Sequence, residues 1–295
     1  MKVKWMLLLP LVLAAACSGG GEERLEIRVM TYNVLCSFCN NEYAPWEERL
    51  GYFADIMQRN APDLAGLQEL TWVSEVDQFL EFMDGYRAVY FVGDSPGPLG
   101  LEEYPDATIF YRAERFRLED NGYYWLSPTP DEPWSAGFAD GLQLPRLVNW
   151  ARFLDIDSGR SFYFITTHFD NNSPSQELSA PLLLERTAPP AERLPVLVTG
   201  DFNSQPADTA YRILTEGVAG SGFRLSNTFD MAEQWRVDSN LSPAPDYDTG
   251  SRIDHIFVAG DASFACPQWS ADLHGYGQGG QYPSDHWPIN ATVSF

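Results

Sequence analysis

Apolar and polar positions along this chain recur with two periods, and the periods mark its elements. Residues 26–34 alternate and are β-branched: Ile27, Val29 and Thr31 face one way, Tyr32 and Val34 the other, which predicts a first strand. Trp46, Leu50, Phe53 and Met57 then recur at helical spacing after Pro45, and Asn60-Ala-Pro stops that helix. Residues 62–69 read as a strand ending at Glu69, 72–83 as a second helix and 86–92 as a further strand. A Gly/Pro loop covers 94–105. Residues 107–111 and 116–126 read as a β-pair turning around Arg112–Arg115, and an irregular segment runs from Trp125 to Pro145. Residues 146–157 and 160–167 form a hairpin turning at Ser158-Gly159. A helix over 173–187 precedes the apolar run Pro195-Val-Leu-Val198, a buried strand that ends at Gly200. Ser204 and Pro206 have the chemistry of a helix start, with the helix over 207–215. Residues 221–229 are ambiguous, and 231–247 read as a surface excursion. Residues 252–258 form a strand containing Asp254, 275–280 a glycine-rich loop and 289–295 the last strand. Strands interleaved with helices point to an α/β domain.

The first 16 residues break this pattern. Two lysines, an apolar run and three alanines make an export signal, too short to span a membrane comfortably. Cys17 follows at once, and a cysteine placed after small residues resembles the lipobox of bacterial lipoproteins. The resemblance implies cleavage before Cys17, lipidation of its sulfur and a flexible tether through residue 24. Ser18 after the cysteine implies the outer membrane. An ordinary secretory peptide is the alternative. Residues 25–295 remain for one large domain with a sizeable core.

Charge narrows the partners. The formal net charge is −22, and both lysines, Lys2 and Lys4, lie in the signal; removing them leaves 17 arginines against 41 acidic residues, or −24. Such a surface repels polyanions at long range. Cys36 and Cys39 form a C-x-x-C pair, which in an exported protein reads as a small disulfide; four close zinc ligands are lacking.

Candidate chemistry collects at the ends of predicted strands. Asn33, Glu69, His168 and Asp201 with Asn203 each close or follow such a run, Asp254 lies inside one and Asp285 with His286 leads into the last, and three of the four histidines lie in these motifs. Each residue alone reads equally well as a solvated turn. Together they offer hard oxygen ligands for Mg²⁺ or Mn²⁺ and imidazole–carboxylate pairs for proton transfer. Phosphoryl chemistry needs both.

The ordered set TYN, LQE, TTHFD, GDFNSQP, RIDHIFV and SDHWP resembles the endonuclease/exonuclease/phosphatase superfamily, over about residues 27–295. The blocks Trp125-Leu-Ser-Pro-Thr-Pro and Pro145-Arg-Leu-Val-Asn-Trp-Ala are similar to small bacterial members of metal-dependent hydrolase type. The resemblance implies an α/β four-layer sandwich: two mixed β-sheets face to face with helices outside. It implies a metal held by Glu69 and Asn33 with Asp285 near it, and water oriented or deprotonated by Asp201. Asn203 would bind a phosphate oxygen; His286, backed by Asp254, and His168 would bind phosphate and handle protons. Arg146 and Arg252 are candidates to face an anion. The sequence departs from its relatives at Leu35, where some carry a carboxylate, and at Asn171 and Gln176–Glu177, where close relatives show histidine and arginine. His255 and His274 read as structural and loop residues. The expected activity is metal-dependent hydrolysis of a small phosphoester or phospholipid head group by a monomer. No basic run offers a track for long nucleic acid. A nuclease and a non-catalytic surface binding lipoprotein on the same fold are the alternatives.

Overall fold

The alternation in the first strand is what builds the layers. In a computed structural model, which describes residues 24–39, 42–97, 100, 102–138 and 144–295, β1 (Glu26–Asn33) sends Ile27 and Val29 to one side and Met30 and Tyr32 to the other. The first pair enters an apolar core between two sheets. The second pair enters a core beneath α1 (Trp46–Asn60) and α2 (Val73–Phe82), with Phe53 and Phe79. The predicted signal, Cys17 and nearly all of the tether lie in residues 1–23, outside the described residues.

The remaining elements follow as β2 (Leu64–Gln68), β3 (Tyr86–Val92), β4 (Glu103–Arg112), β5 (Phe116–Trp125), β6 (Leu147–Asp155), β7 (Ser161–His168), α3 (Ser173–Ala191), β8 (Val196–Asp201), α4 (Thr209–Glu216), β9 (Ser226–Asn227), α5 (Thr228–Met231), β10 (Ala232–Asp238), β11 (Asp254–Ala259), β12 (Ala265–Asp272) and β13 (Ile289–Ser294). One sheet has the order β10-β12-β13-β1-β2-β4-β3, the other β5-β6-β7-β8-β11-β9. Both mix parallel and antiparallel pairs. Leu183, Leu184 and Leu214 of α3 and α4 cover the outer face of the second sheet. This is the expected four-layer α/β sandwich.

Three elements differ from the sequence reading. β4 and β5 do not pair with each other; β4 joins β2 and β3, and β5 joins β6 in the other sheet. The short connection at 113–115 crosses between sheets, because both strands carry apolar faces that each sheet can bury. Residues 232–238, expected in a surface excursion, form the edge strand β10 on β12. Its burial is low throughout, so its sequence lacks a buried stripe. Residues 265–272, given no strand in that reading, form β12.

The sheets approach closely under one edge. A Cβ on Gly66 of β2 would lie 2.3 Å from Thr166 Oγ1 and 2.4 Å from Thr199 Oγ1 of the facing sheet. A buried polar layer bridges the sheets there, with Gln68 Nε2 donating to Thr166 Oγ1 at 3.1 Å and Asn149 Nδ2 to the Ala107 carbonyl at 2.8 Å.

Candidate active site

Strand direction decides which side chains meet. β1 and β2 run parallel, as do β7 and β8, so Asn33, Glu69, His168 and Asp201 all emerge at one edge of the sandwich. β11 runs antiparallel to β8, with Asp254 opposite Asp201, so its first residue reaches the same edge. The loop before β13 brings in Asp285 and His286. Ser284 holds that loop by donating its hydroxyl to the Asn33 carbonyl at 2.7 Å.

The buried carboxylate of Asp201 is the centre. Its Oδ2 accepts from Asn33 Nδ2 at 3.1 Å, and it lies 3.5 Å from His168 Nε2 and 3.6 Å from His286 Nε2. Its Oδ1 accepts from the Asn203 backbone N–H at 2.8 Å, which fixes the turn where Asn203 takes a positive φ of 48°. The Asn203 side chain donates to the Phe169 carbonyl at 3.1 Å. Gln176 is a brace: its amide donates to the Asp170 and Asn203 carbonyls, both at 2.9 Å.

Each imidazole has a carboxylate behind it. His286 Nδ1 lies 2.8 Å from Asp254 Oδ2. Burial works to lower the His286 pKa, but Asp254 and then Asp201 outweigh it, so the ring holds its proton well above the usual histidine range. Burial pushes Asp254 upward. His168 Nδ1 lies 3.2 Å from both oxygens of Asp106. Burial and the Arg146 charge work to lower the His168 pKa, and Asp106 reverses them to a net rise.

Asp106 was missed in the sequence reading. It sits within β4, which is antiparallel to β2, and the register carries it beside Glu69. Its Oδ1 also accepts the Glu69 backbone N–H at 2.9 Å. The available signal was an aspartate directly before an apolar run, but its meaning depends on which strand β4 joins.

Glu69 lies partly exposed, with a φ of +68°. Its Oε1 accepts from Asn33 Nδ2 and its Oε2 from the Cys36 backbone N–H, both at 2.9 Å. One bond to each oxygen leaves acceptor capacity on a hard oxygen donor. Asp285, on the loop before β13, is exposed, and Arg49 feels the charge of both carboxylates. The free acceptor capacity of the Glu69 carboxylate suits a divalent cation. Asn33, expected as a ligand, also makes contacts within the site: its Oδ1 accepts the Leu35 N–H at 2.9 Å, and its nitrogen bridges Glu69 and Asp201. Ligand atoms of Asp201, Asp254 and His286 also lie within 4.8 Å of one another, but the hydrogen bond between His286 and Asp254 makes them an acid/base set first. Cys36 and Cys39 form the expected disulfide.

The arginines divide. Arg146 is buried in the site, with Nη1 3.0 Å from His168 Nδ1 and 3.9 Å from Asp106. Arg252 is turned away from an anion position: its guanidinium stacks on Phe229 at 4.0 Å, bonds the Thr249 carbonyl and lies 3.7 Å from Asp230. His255 is buried, with Nε2 donating to the Ser204 carbonyl at 2.9 Å, and burial pushes its pKa down to about 3. His274 pairs with Asp272 at 2.7 Å.

The model of the endonuclease/exonuclease/phosphatase family matches residues 30–286, a span that contains all these site residues. The chain belongs to that family. Its broad class is accordingly that of a hydrolase acting on phosphoesters. A family member from Bacteroides thetaiotaomicron of known structure is 28% identical with a TM-score of 0.76, covering 92% of this chain and 99% of that one. The mannosyl-6-phosphatase of the same organism is also 28% identical, with a TM-score of 0.74 and coverage of 91% and 100%. Nocturnin of Homo sapiens is 24% identical over 223 residues, covering 70% of this chain and 48% of nocturnin.

Proposed function

We propose that this protein hydrolyses a small phosphoester or a phospholipid head group with a divalent metal, Mg²⁺ or Mn²⁺. The observation that carries the reading is the convergence of Asn33, His168 and His286 on one oxygen of Asp201, with each imidazole backed by its own carboxylate. Asp201 accepts a proton from the attacking water and aligns it. The water oxygen bonds to phosphorus, and the bond from phosphorus to the leaving oxygen breaks. His286, kept protonated by Asp254 and Asp201, donates its proton to that leaving oxygen. His168 and Arg146 face the non-bridging oxygens, and Asn203 fixes the turn beside Asp201. Glu69 and Asp285 would hold the cation, with Asn33 positioning Glu69. When bound, the cation neutralises charge on the phosphoryl oxygens.

The placement of arginines supports a compact substrate over a long nucleic acid. Arg28, Arg112 and Arg115 surround Asp63 at the far edge of the sandwich, at 3.0, 3.6 and 2.6 Å. Arg59, Arg117, Arg186 and Arg236 pair with acidic neighbours. A polyanion gains affinity by contacting unpaired cations in succession, and these are committed. In this proposal the protein works as a monomer, tethered through Cys17 to the outer membrane, where small esters and lipid head groups are at hand.

The test is hydrolysis of bis-p-nitrophenyl phosphate and p-nitrophenyl phosphate with Mg²⁺, Mn²⁺ or EDTA, in wild type, His286→Ala and Glu69→Ala. We expect metal-dependent turnover that falls by at least about two orders of magnitude in His286→Ala. Turnover that persists in EDTA, or survives in His286→Ala, refutes the reading.

A further inference from the structure

Two large apolar side chains stand in solvent beside the site. Phe38 is 67% exposed and Trp72 45% exposed, with ring centroids 6.5 Å apart. Exposed aromatics on loose chain are unremarkable, but these are held on fixed backbone. Phe38 is one of the two residues enclosed by the Cys36–Cys39 disulfide. Trp72 opens α2, where the buried Glu75 accepts the Thr71 and Trp72 backbone N–H groups at 2.7 and 3.2 Å.

Both rings are tied to the metal side of the site. Trp72 follows Glu69 by three residues, and Phe38 follows by two residues the Cys36 whose N–H binds the Glu69 carboxylate. A chain extends at most about 3.5 Å per residue, so each α-carbon lies within roughly 11 Å of that of Glu69 or Cys36. The rings line a cleft of about 540 Å³ together with Tyr43, Trp46, Glu47 and Ser74.

The electrostatics of the cleft limit its occupant. Glu47 and Glu75 are acidic, and the cation there, Arg49, is committed to the carbonyls of Val34, Leu35, Pro283 and Cys36 at 2.8, 2.8, 3.1 and 3.1 Å. A second phosphate or a carboxylate is therefore disfavoured, whereas an uncharged ring gains stacking area. We propose that Phe38 and Trp72 form a stacking rim that selects phosphoesters whose leaving group carries an uncharged ring. The inference rests on the phosphoesterase reading for its substrate, but not for its measurement.

The experiment titrates phenylphosphonate and methylphosphonate calorimetrically into the full-length protein with Mg²⁺. Wild type, Phe38→Ala, Trp72→Ala and the conservative Phe38→Tyr and Trp72→Phe are compared. We expect wild type to bind the phenyl compound about tenfold more tightly than the methyl one. The alanine variants should lose most of that ratio and the conservative ones keep it. Equal or absent binding of the two compounds by wild type, or an intact ratio in both alanine variants, overturns the inference. A phenyl preference that depends on the rim, without hydrolysis of any ester, upholds the rim and defeats the phosphoesterase reading instead.

Discussion

Asp106 is the residue on which the two halves of the site depend, and its removal can be worked through. One oxygen accepts the Glu69 N–H at 2.9 Å, and both face His168 Nδ1 at 3.2 Å. Asp106→Asn keeps the shape and removes the charge. A charge-assisted hydrogen bond is worth about 1.5–3 kcal/mol, so a loss of that size in unfolding free energy is expected. The loss should depend on pH. The raised His168 pKa stabilises the fold fully below about 6.5, its unfolded value, and that contribution fades as pH rises through the folded value. The Asp106 pKa is lowered, burial notwithstanding, by His168 and Arg146; its contribution is present above about 3.9 and fades as pH falls. The gap between wild type and variant is therefore widest between about pH 4 and 6.5. With Asp106 neutral, only Asp201 is left to oppose burial and Arg146, and the His168 midpoint drops. Activity should fall roughly 10- to 100-fold, the usual scale for a residue that orients a catalytic group. Urea unfolding at pH 5.5 and pH 9, with NMR titration of the His168 ring, measures both effects. An equal gap at the two pH values together with an unmoved His168 midpoint refutes the reasoning.

Other outcomes follow from the same contacts. Gly66→Ala pushes a methyl group onto Thr166 and Thr199 and should cost about 1–3 kcal/mol in urea unfolding. Arg49→Met strands four carbonyls that Arg49 now satisfies; a loss of at least about 3 kcal/mol is expected by the same method. Plasmid nicking should be weak beside small-ester hydrolysis over a salt series; efficient nicking that falls steeply with salt would show a phosphate-tracking surface.

The sandwich was legible through the family resemblance, and most of the gathered residues because their short motifs close an apolar run whose end is local information. Asn33, His168 and Asp201 needed only that run to be placed. Asp106 needed the register of β4 against β2, which no local pattern carries. The same gap produced the mistaken pairing of β4 with β5. β10 was hidden because an exposed edge strand leaves no buried stripe to read. Arg252 looked like Arg146 in sequence, each beside a motif strand; only the Phe229 ring and Asp230, brought in by α5, separate their roles.

The close approach at Gly66 has a mechanical consequence. Glu69 and Asp106 ride on one sheet, while His168, Asp201 and Asp254 ride on the other, so the reacting groups straddle a seam. The spacing across that seam is set by how tightly Thr166 and Thr199 seat against a residue with no side chain. Enlarging any nearby core residue acts as a wedge, opening the gap between Glu69 and Asp106 on one side and Asp201 and His168 on the other without touching any of them. Turnover in this protein should thus report interior volume, and hydrostatic pressure, which squeezes such gaps, should shift its rate in the opposite sense to the wedge.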